Sequence, residues 1–173
     1  LENIGKKADD QKGNTYPIGN RNTMESHIFQ IDHNKNDKLH SVMWLALGSP
    51  RFSPYIPYYQ NQTKGIGEAS AEKNEFHQKS VYWLATDMMH MAETDLDHFS
   101  KLVKDDIEKL EDILVKKTKL DPKDAKTATD TNAEDAKKGY ELLQKMHDKM
   151  KAEYIDYLNK HDTVNTTYNR RNG

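Results

Sequence analysis

The amino-acid sequence predicts an α+β fold, a β-hairpin followed by a long antiparallel helical hairpin. β-Branched and aromatic residues are frequent in residues 26–31 and 42–47, on either side of a polar turn at residues 32–38. Apolar residues then recur at steps of mostly three and four through residues 81–117 and again through residues 140–157. This spacing is typical of amphipathic helices that pack along one face.

The same patterns divide the chain into three regions. Residues 1–20 are polar and contain three glycines, so we expect a flexible lead-in. Residues 21–60 contain the β-hairpin and a loop rich in proline and aromatic residues. Residues 61–173 contain the helical hairpin and end in a polar tail.

The two predicted strands have different apolar patterns. In residues 26–31 polar residues are interspersed with apolar ones, which predicts a partly exposed strand. Residues 42–47 are continuously apolar, as expected of a strand that is covered on both faces. Because two strands do not form a stable sheet alone, the hairpin requires further strands, which the rest of the sequence does not obviously provide.

A segment with prolines at positions 50, 54 and 57 follows the second strand and is expected to interrupt any regular strand pairing. Pro54-Tyr55-Ile56-Pro57 also fits the minimal pattern of polyproline ligands, so a docking motif is one interpretation. The position directly after a buried strand, among several aromatic side chains, favours a packed structural loop instead.

The helical part begins at Ser80, a plausible N-cap. One continuous helix of about 50 Å is expected from there to Lys117, at 1.5 Å per residue. Asp121 and Pro122 end it, and Asn132 is the predicted N-cap of the second helix.

Methionines are concentrated at the start of the first predicted helix. Met88 and Met91 lie on the apolar stripe, whereas Met89 lies off it. An adaptable binding surface is possible for such residues, but ordinary core packing is the preferred interpretation.

Composition limits the classes of function. The 173 residues carry a net charge of −2, with a pI of about 6.5, so no general positive field attracts nucleic acid. The sequence contains no apolar run of about eighteen residues and does not begin like a signal peptide, so we expect a soluble, cytoplasmic protein without membrane contact. The absence of cysteine excludes disulfides and thiolate metal sites within this chain.

Two carboxylate and histidine pairs have the spacing i, i+3. They are Asp87 with His90 and Asp95 with His98, and helical metal sites use a similar spacing with glutamate. In a chain with 31% charged residues such pairs arise easily by chance, so a solvated helix face is the preferred interpretation. We therefore predict neither a metal nor a cofactor.

Arg21, Glu25 and His27 lie within one short segment that leads into the first strand. Residues at strand ends often present side chains to an active-site rim, which makes these three candidates for catalysis or substrate binding. The alternative is a surface ion pair beside an ordinary strand histidine.

Two segments resemble a known enzyme family. They are Glu25-Ser26-His27-Ile28-Phe29-Gln30 and the stretch from Trp44-Leu45-Ala46-Leu47-Gly48 through residue 57. Both are similar to blocks of the dipeptidase A-type, secernin-related, N-terminal-nucleophile cysteine peptidases. The resemblance implies a C-terminal fragment of an αββα hydrolase whose catalytic cysteine, at the mature N-terminus, lies outside this chain.

The resemblance also implies roles and partners. Arg21 becomes the catalytic candidate, because related cysteine enzymes place an arginine near the nucleophile, and Glu25 and His27 become substrate-binding candidates. The expected partners are a dipeptide substrate and the missing N-terminal part of the same enzyme, and a homo-oligomer is possible. The isolated chain is expected to be inactive. The alternative function is a non-enzymatic helical module that binds other proteins.

Overall fold

A computed structural model describes residues 22–33, 39–64, 80–118 and 124–161. The strands are β1 (Glu25–His33), β2 (Leu39–Leu47) and β3 (Ile56–Tyr59). The helices are α1 (Val81–Ala92), α2 (Leu96–Lys117) and α3 (Ala125–His161). The predicted α+β class is confirmed, whereas the predicted lead-in and most of the predicted polar turn lie outside the described residues.

The strands form one antiparallel sheet in the order β1-β2-β3. The predicted β-hairpin is therefore present, and β3 extends it. The expectation that prolines prevent pairing throughout the loop is wrong at β3, where Pro57 lies opposite Trp44. Since β3 is an edge strand, the missing N–H of its proline is tolerated.

Strand β2 alternates between two environments, unlike the predicted strand covered on both faces. Its two faces differ because one is closed by the core and the other is only partly covered. The buried side chains are Val42, Trp44 and Ala46, and the half-buried ones are Met43, Leu45 and Leu47.

The predicted single helix over residues 81–117 is wrong, because α1 and α2 are separate. Asp95 caps the start of α2, and its side chain accepts a hydrogen bond from the backbone N of His98 at 3.1 Å. The break falls where the expected apolar stripe has its widest gap, between Met91 and Phe99.

Helix α3 begins at residue 125, so the predicted N-cap at Asn132 is also wrong. The backbone N of Thr127 instead donates to Asp124 Oδ1 at 2.8 Å, and this bond together with the Thr127 hydroxyl lowers the pKa of Asp124. The predicted cap of α1 is confirmed, since the Ser80 side chain accepts from the backbone N of Trp83.

Helices α2 and α3 are antiparallel, as predicted. Lys117 Nζ, at the end of α2, lies 2.8 Å from Asp135 Oδ1 in the first half of α3. His98, at the start of α2, lies 2.8 Å from Glu153 near the end of α3. The two helices therefore contact each other along most of the length of α2.

The main core lies between the helices and the proline-aromatic loop. Phe52 and Pro54 are fully buried, which confirms a packed loop rather than a docking motif. The three clustered methionines, Met88, Met89 and Met91, are buried in the same cluster, so core packing accounts for Met89 as well.

Candidate functional site

The candidate site lies where β1 starts and β2 ends. The strand register places Glu25 opposite Leu47, and the backbone N of Gly48 donates to the carbonyl of Met24 at 2.7 Å. His27 is two residues beyond Glu25, so both side chains point to the same face of the sheet. This face is called the Glu25 face below.

Gly48 brings helix α1 close to this end of the sheet. Its φ of +81° is in the region that favours glycine, and an added Cβ would lie 2.9 Å from Cβ of Ala85. A larger residue would therefore strain the turn and push α1 away from the strand end.

Glu25 and His27 contact each other. Glu25 Oε1 lies 3.4 Å from His27 Nδ1, and the two side chains are 55% and 45% exposed. The His27 ring meets Phe29 edge-on at a centroid distance of 5.2 Å. Because both side chains are about half exposed, the carboxylate and the imidazole are accessible to a ligand. An ion pair with this exposure contributes little to stability.

Arg21, the third predicted site residue, lies outside the described residues. The alternative of a surface ion pair beside an ordinary strand histidine also stays open, because Arg21 is not described. The catalytic and substrate-binding roles of the three residues therefore stay predictions.

The opposite face of the sheet carries hydrogen bonds that sequence patterns did not indicate. Ser26 Oγ lies 2.6 Å from the hydroxyl of Tyr55, and Trp44 Nε1 donates to Gln30 Oε1 at 3.0 Å. The backbone N of Tyr55 donates to Glu111 of α2, whose pKa is raised by burial. Together these bonds connect β1 to β2, to the loop and to α2.

An apolar recess opens on the Glu25 face, between the sheet and the helices. Its free space is about 10 Å³, which is about the room that one water molecule needs. Its walls come from β2, β3, the start of α1 and the middle of α3, and they include Leu45, Leu47, Ile56, Val81, Tyr140 and Leu143.

The two predicted i, i+3 pairs take other partners. Asp87 bonds to His147 of α3 at 2.7 Å, and Asp95 accepts from the hydroxyl of Tyr157 at 3.2 Å. Within the described ranges no three histidine, aspartate or glutamate side chains are grouped in a way that could hold a metal ion. No helix in those ranges has the length and apolar character that a bilayer span requires.

Comparison with known proteins identifies the family. The model of peptidase family C69 matches residues 2–109, which include the whole sheet, α1 and more than half of α2. The chain therefore belongs to peptidase family C69. Helix α3 lies beyond the matched residues, although its side chains complete the core.

The matching relatives are dipeptidases by name. Probable dipeptidase B of Streptococcus pyogenes serotype M1 is 36% identical over 100 residues, which are 58% of this chain and 20% of that protein. A probable dipeptidase of Latilactobacillus sakei is 28% identical over 98 residues, 57% of this chain and 21% of that protein. Probable dipeptidase A of the same S. pyogenes serotype is 32% identical over 92 residues. The matched part thus spans about a fifth of each relative.

Proposed function

We propose that this chain is the C-terminal portion of a cytoplasmic cysteine dipeptidase that hydrolyses dipeptides. Membership of peptidase family C69 carries the proposal, together with the names of the matching relatives. The chain itself contains no cysteine, so the nucleophile belongs to the rest of the enzyme. That remainder is the partner of this chain, and the dipeptide is the substrate.

The proposed chemistry is acyl transfer to an N-terminal cysteine. The terminal amine takes the thiol proton, sulfur attacks the dipeptide carbonyl carbon, and the peptide C–N bond breaks as the leaving amine receives a proton. Water then hydrolyses the thioester and releases the second amino acid. Arg21 is proposed to lie near the nucleophile, and Glu25 and His27 to contact the substrate.

The exposure of β1 supports an incomplete sheet. Ile28, Phe29 and Ile31 are 53–59% exposed, and they belong to both faces of the strand. Large apolar side chains on both faces are typical of a strand inside a larger, covered sheet. We propose that residues 21–60 belong to the sheet layers of an αββα N-terminal-nucleophile fold, with residues 61–173 on the outside.

Dipeptide hydrolysis by two proteins tests this proposal. The complete gene product should release amino acids from dipeptides and should lose activity when its N-terminal cysteine is alkylated or replaced by alanine. The purified 173-residue chain should release none, because it lacks the nucleophile. Cysteine-independent turnover by this chain, or a complete gene product without dipeptidase activity, would overturn the proposal in favour of the non-enzymatic helical module.

A further inference from the structure

A side-chain hydrogen bond ties the start of β1 to the proline-aromatic loop. Ser26 Oγ lies 2.6 Å from the hydroxyl of Tyr55, within the usual range for a bond between two hydroxyl groups. In the chain Ser26 lies between Glu25 and His27, and its side chain points to the opposite face of the sheet. The bond therefore holds the backbone that carries both candidate side chains, from the face that they do not occupy.

Tyr55 is itself held in place. Its backbone N donates to Glu111 Oε1 of α2 at 3.0 Å, and its ring packs against the core cluster that contains Trp44. Pro54, the residue before it, is fully buried. Because the loop is fixed at these points, the phenol hydroxyl is a rigid partner for Ser26.

The bond reaches across the sheet. Ser26 lies opposite Ala46 of β2, whereas Tyr55 directly precedes β3, which pairs with the other side of β2. The phenol therefore spans the distance from the start of β3, past β2, to β1. Backbone bonds connect each strand only to its neighbour, but this side-chain bond fixes the start of β1 to a loop that is anchored on α2.

We propose that Tyr55 is a positioning residue of the dipeptidase. Its hydroxyl holds Ser26 and thereby fixes the start of β1, so that Glu25 and His27 keep the positions in which they contact the substrate. This inference rests on the proposed dipeptidase function and adds to it a residue that does not touch the substrate. A misplacement of about 1 Å in an active site can cost about a hundredfold in rate, so loss of this bond should be visible in the kinetics.

The test uses the complete enzyme, the variants Ser26→Ala and Tyr55→Phe, and their combination, with the best substrate of a dipeptide panel that includes leucyl-glycine. Each single variant should lower kcat by about tenfold and change KM by less than about twofold, because the dipeptide still binds but spends less time in the reactive position. Both changes break the same bond, so the double variant should lose no more than either single variant. Ser26→Thr keeps a hydroxyl and should retain kcat.

Ser41→Ala is the matched control. Ser41 also donates a side-chain hydrogen bond outside its strand, to Gln60 Oε1 at 3.1 Å, but near the opposite end of β2, so this variant should keep the kcat of the unmodified enzyme.

Four results would overturn the positioning role and leave the dipeptidase function intact. They are an unchanged kcat in both single variants, an equal loss in Ser41→Ala, a loss in the double variant equal to the product of the single losses, and a Ser26→Thr enzyme as slow as Ser26→Ala. If the unmodified enzyme hydrolyses no dipeptide of the panel, the proposed function and this inference both fail.

Discussion

The two edge strands of the sheet differ in how they are covered. At β3, helix α3 lies against the strand, and Asn132 Nδ2 donates to the carbonyl of Pro57 at 2.7 Å. At β1, no described element pairs with the outer edge, and Phe29 is 59% exposed. Unprotected apolar edge strands favour aggregation and are usually short, charged or covered. Within the described residues, the sheet is therefore covered at β3 and open at β1.

The largest expected difference in the free energy of unfolding is between alanine variants of one isoleucine at each edge. Ile56 of β3 is 8% exposed and Ile28 of β1 is 53% exposed. Ile56→Ala should lower the free energy of unfolding by about 3 kcal/mol, because it leaves a cavity beneath α3. Ile28→Ala should lower it by less than about 0.5 kcal/mol. Urea unfolding of both variants measures the difference, and equal losses would contradict the comparison.

The next largest loss of stability is expected when the buried side-chain amide of Asn132, which lies against β3, is removed. Asn132→Ala should cost about 2 kcal/mol, because it removes the hydrogen bond to Pro57 and leaves that carbonyl unsatisfied. Asn159→Ala is the matched control, an exposed asparagine of the same helix, and it should change stability by less than about 0.5 kcal/mol. If thermal unfolding shows similar shifts for the two variants, α3 does not seal the edge as described.

The buried phenol of Tyr58 in β3 should make the stability of the fold depend on pH in the alkaline range. Burial raises its pKa from 10.0 to about 12, so between these values the unfolded chain loses the phenol proton before the folded chain does. Stability from this group is complete below pH 10 and decreases up to pH 12, by at most about 3 kcal/mol.

Tyr58→Phe should make this decrease less steep. Some pH dependence should remain, because the hydrogen bond to Asp135 raises the pKa of Lys117, whose contribution is also lost as the pH rises. Urea titrations at several alkaline pH values measure the slope. An identical slope in the variant would show that Tyr58 is not buried at this edge.

The smallest effect on stability is expected at β1, where association should change instead. Phe29→Lys should alter the free energy of unfolding by less than about 0.5 kcal/mol, since the side chain is exposed. We expect the 173-residue chain to self-associate through β1, and this variant to reduce its sedimentation-average mass. Ile113→Lys, on the exposed side of α2, is the matched control and should leave association unchanged.

The helices could be predicted from sequence because their apolar periodicity is local. Ser80 was also recognisable as a cap from residue type alone. The break before α2 needed a comparison of two local signals, the capping ability of Asp95 and the gap in the apolar stripe. Asn132 has the residue type of a cap, but tertiary contacts hold it inside α3 and use its amide elsewhere.

The third strand and the recess could not be predicted from sequence, because they depend on contacts between residues that are far apart in the chain. Strand β3 contains Pro57, and its identity as an edge strand becomes clear only once the strand order is known. Glu25 and His27 lie in contact on one face of β1, but their roles at a site stay predictions. The recess beside them needs both the register of β2 and the position of α3, about 90 residues later, which no local pattern encodes.

Hydrogen exchange measures whether the outer edge of β1 is open in this chain and covered in the complete protein. It is measured once in the 173-residue chain and once in the complete gene product. We expect β1 amides that are not bonded to β2 to exchange quickly in the chain and to become protected in the complete protein, while β3 amides are protected in both. If these β1 amides are equally protected in the two proteins, or equally unprotected, the edge of β1 is not completed by the rest of a dipeptidase.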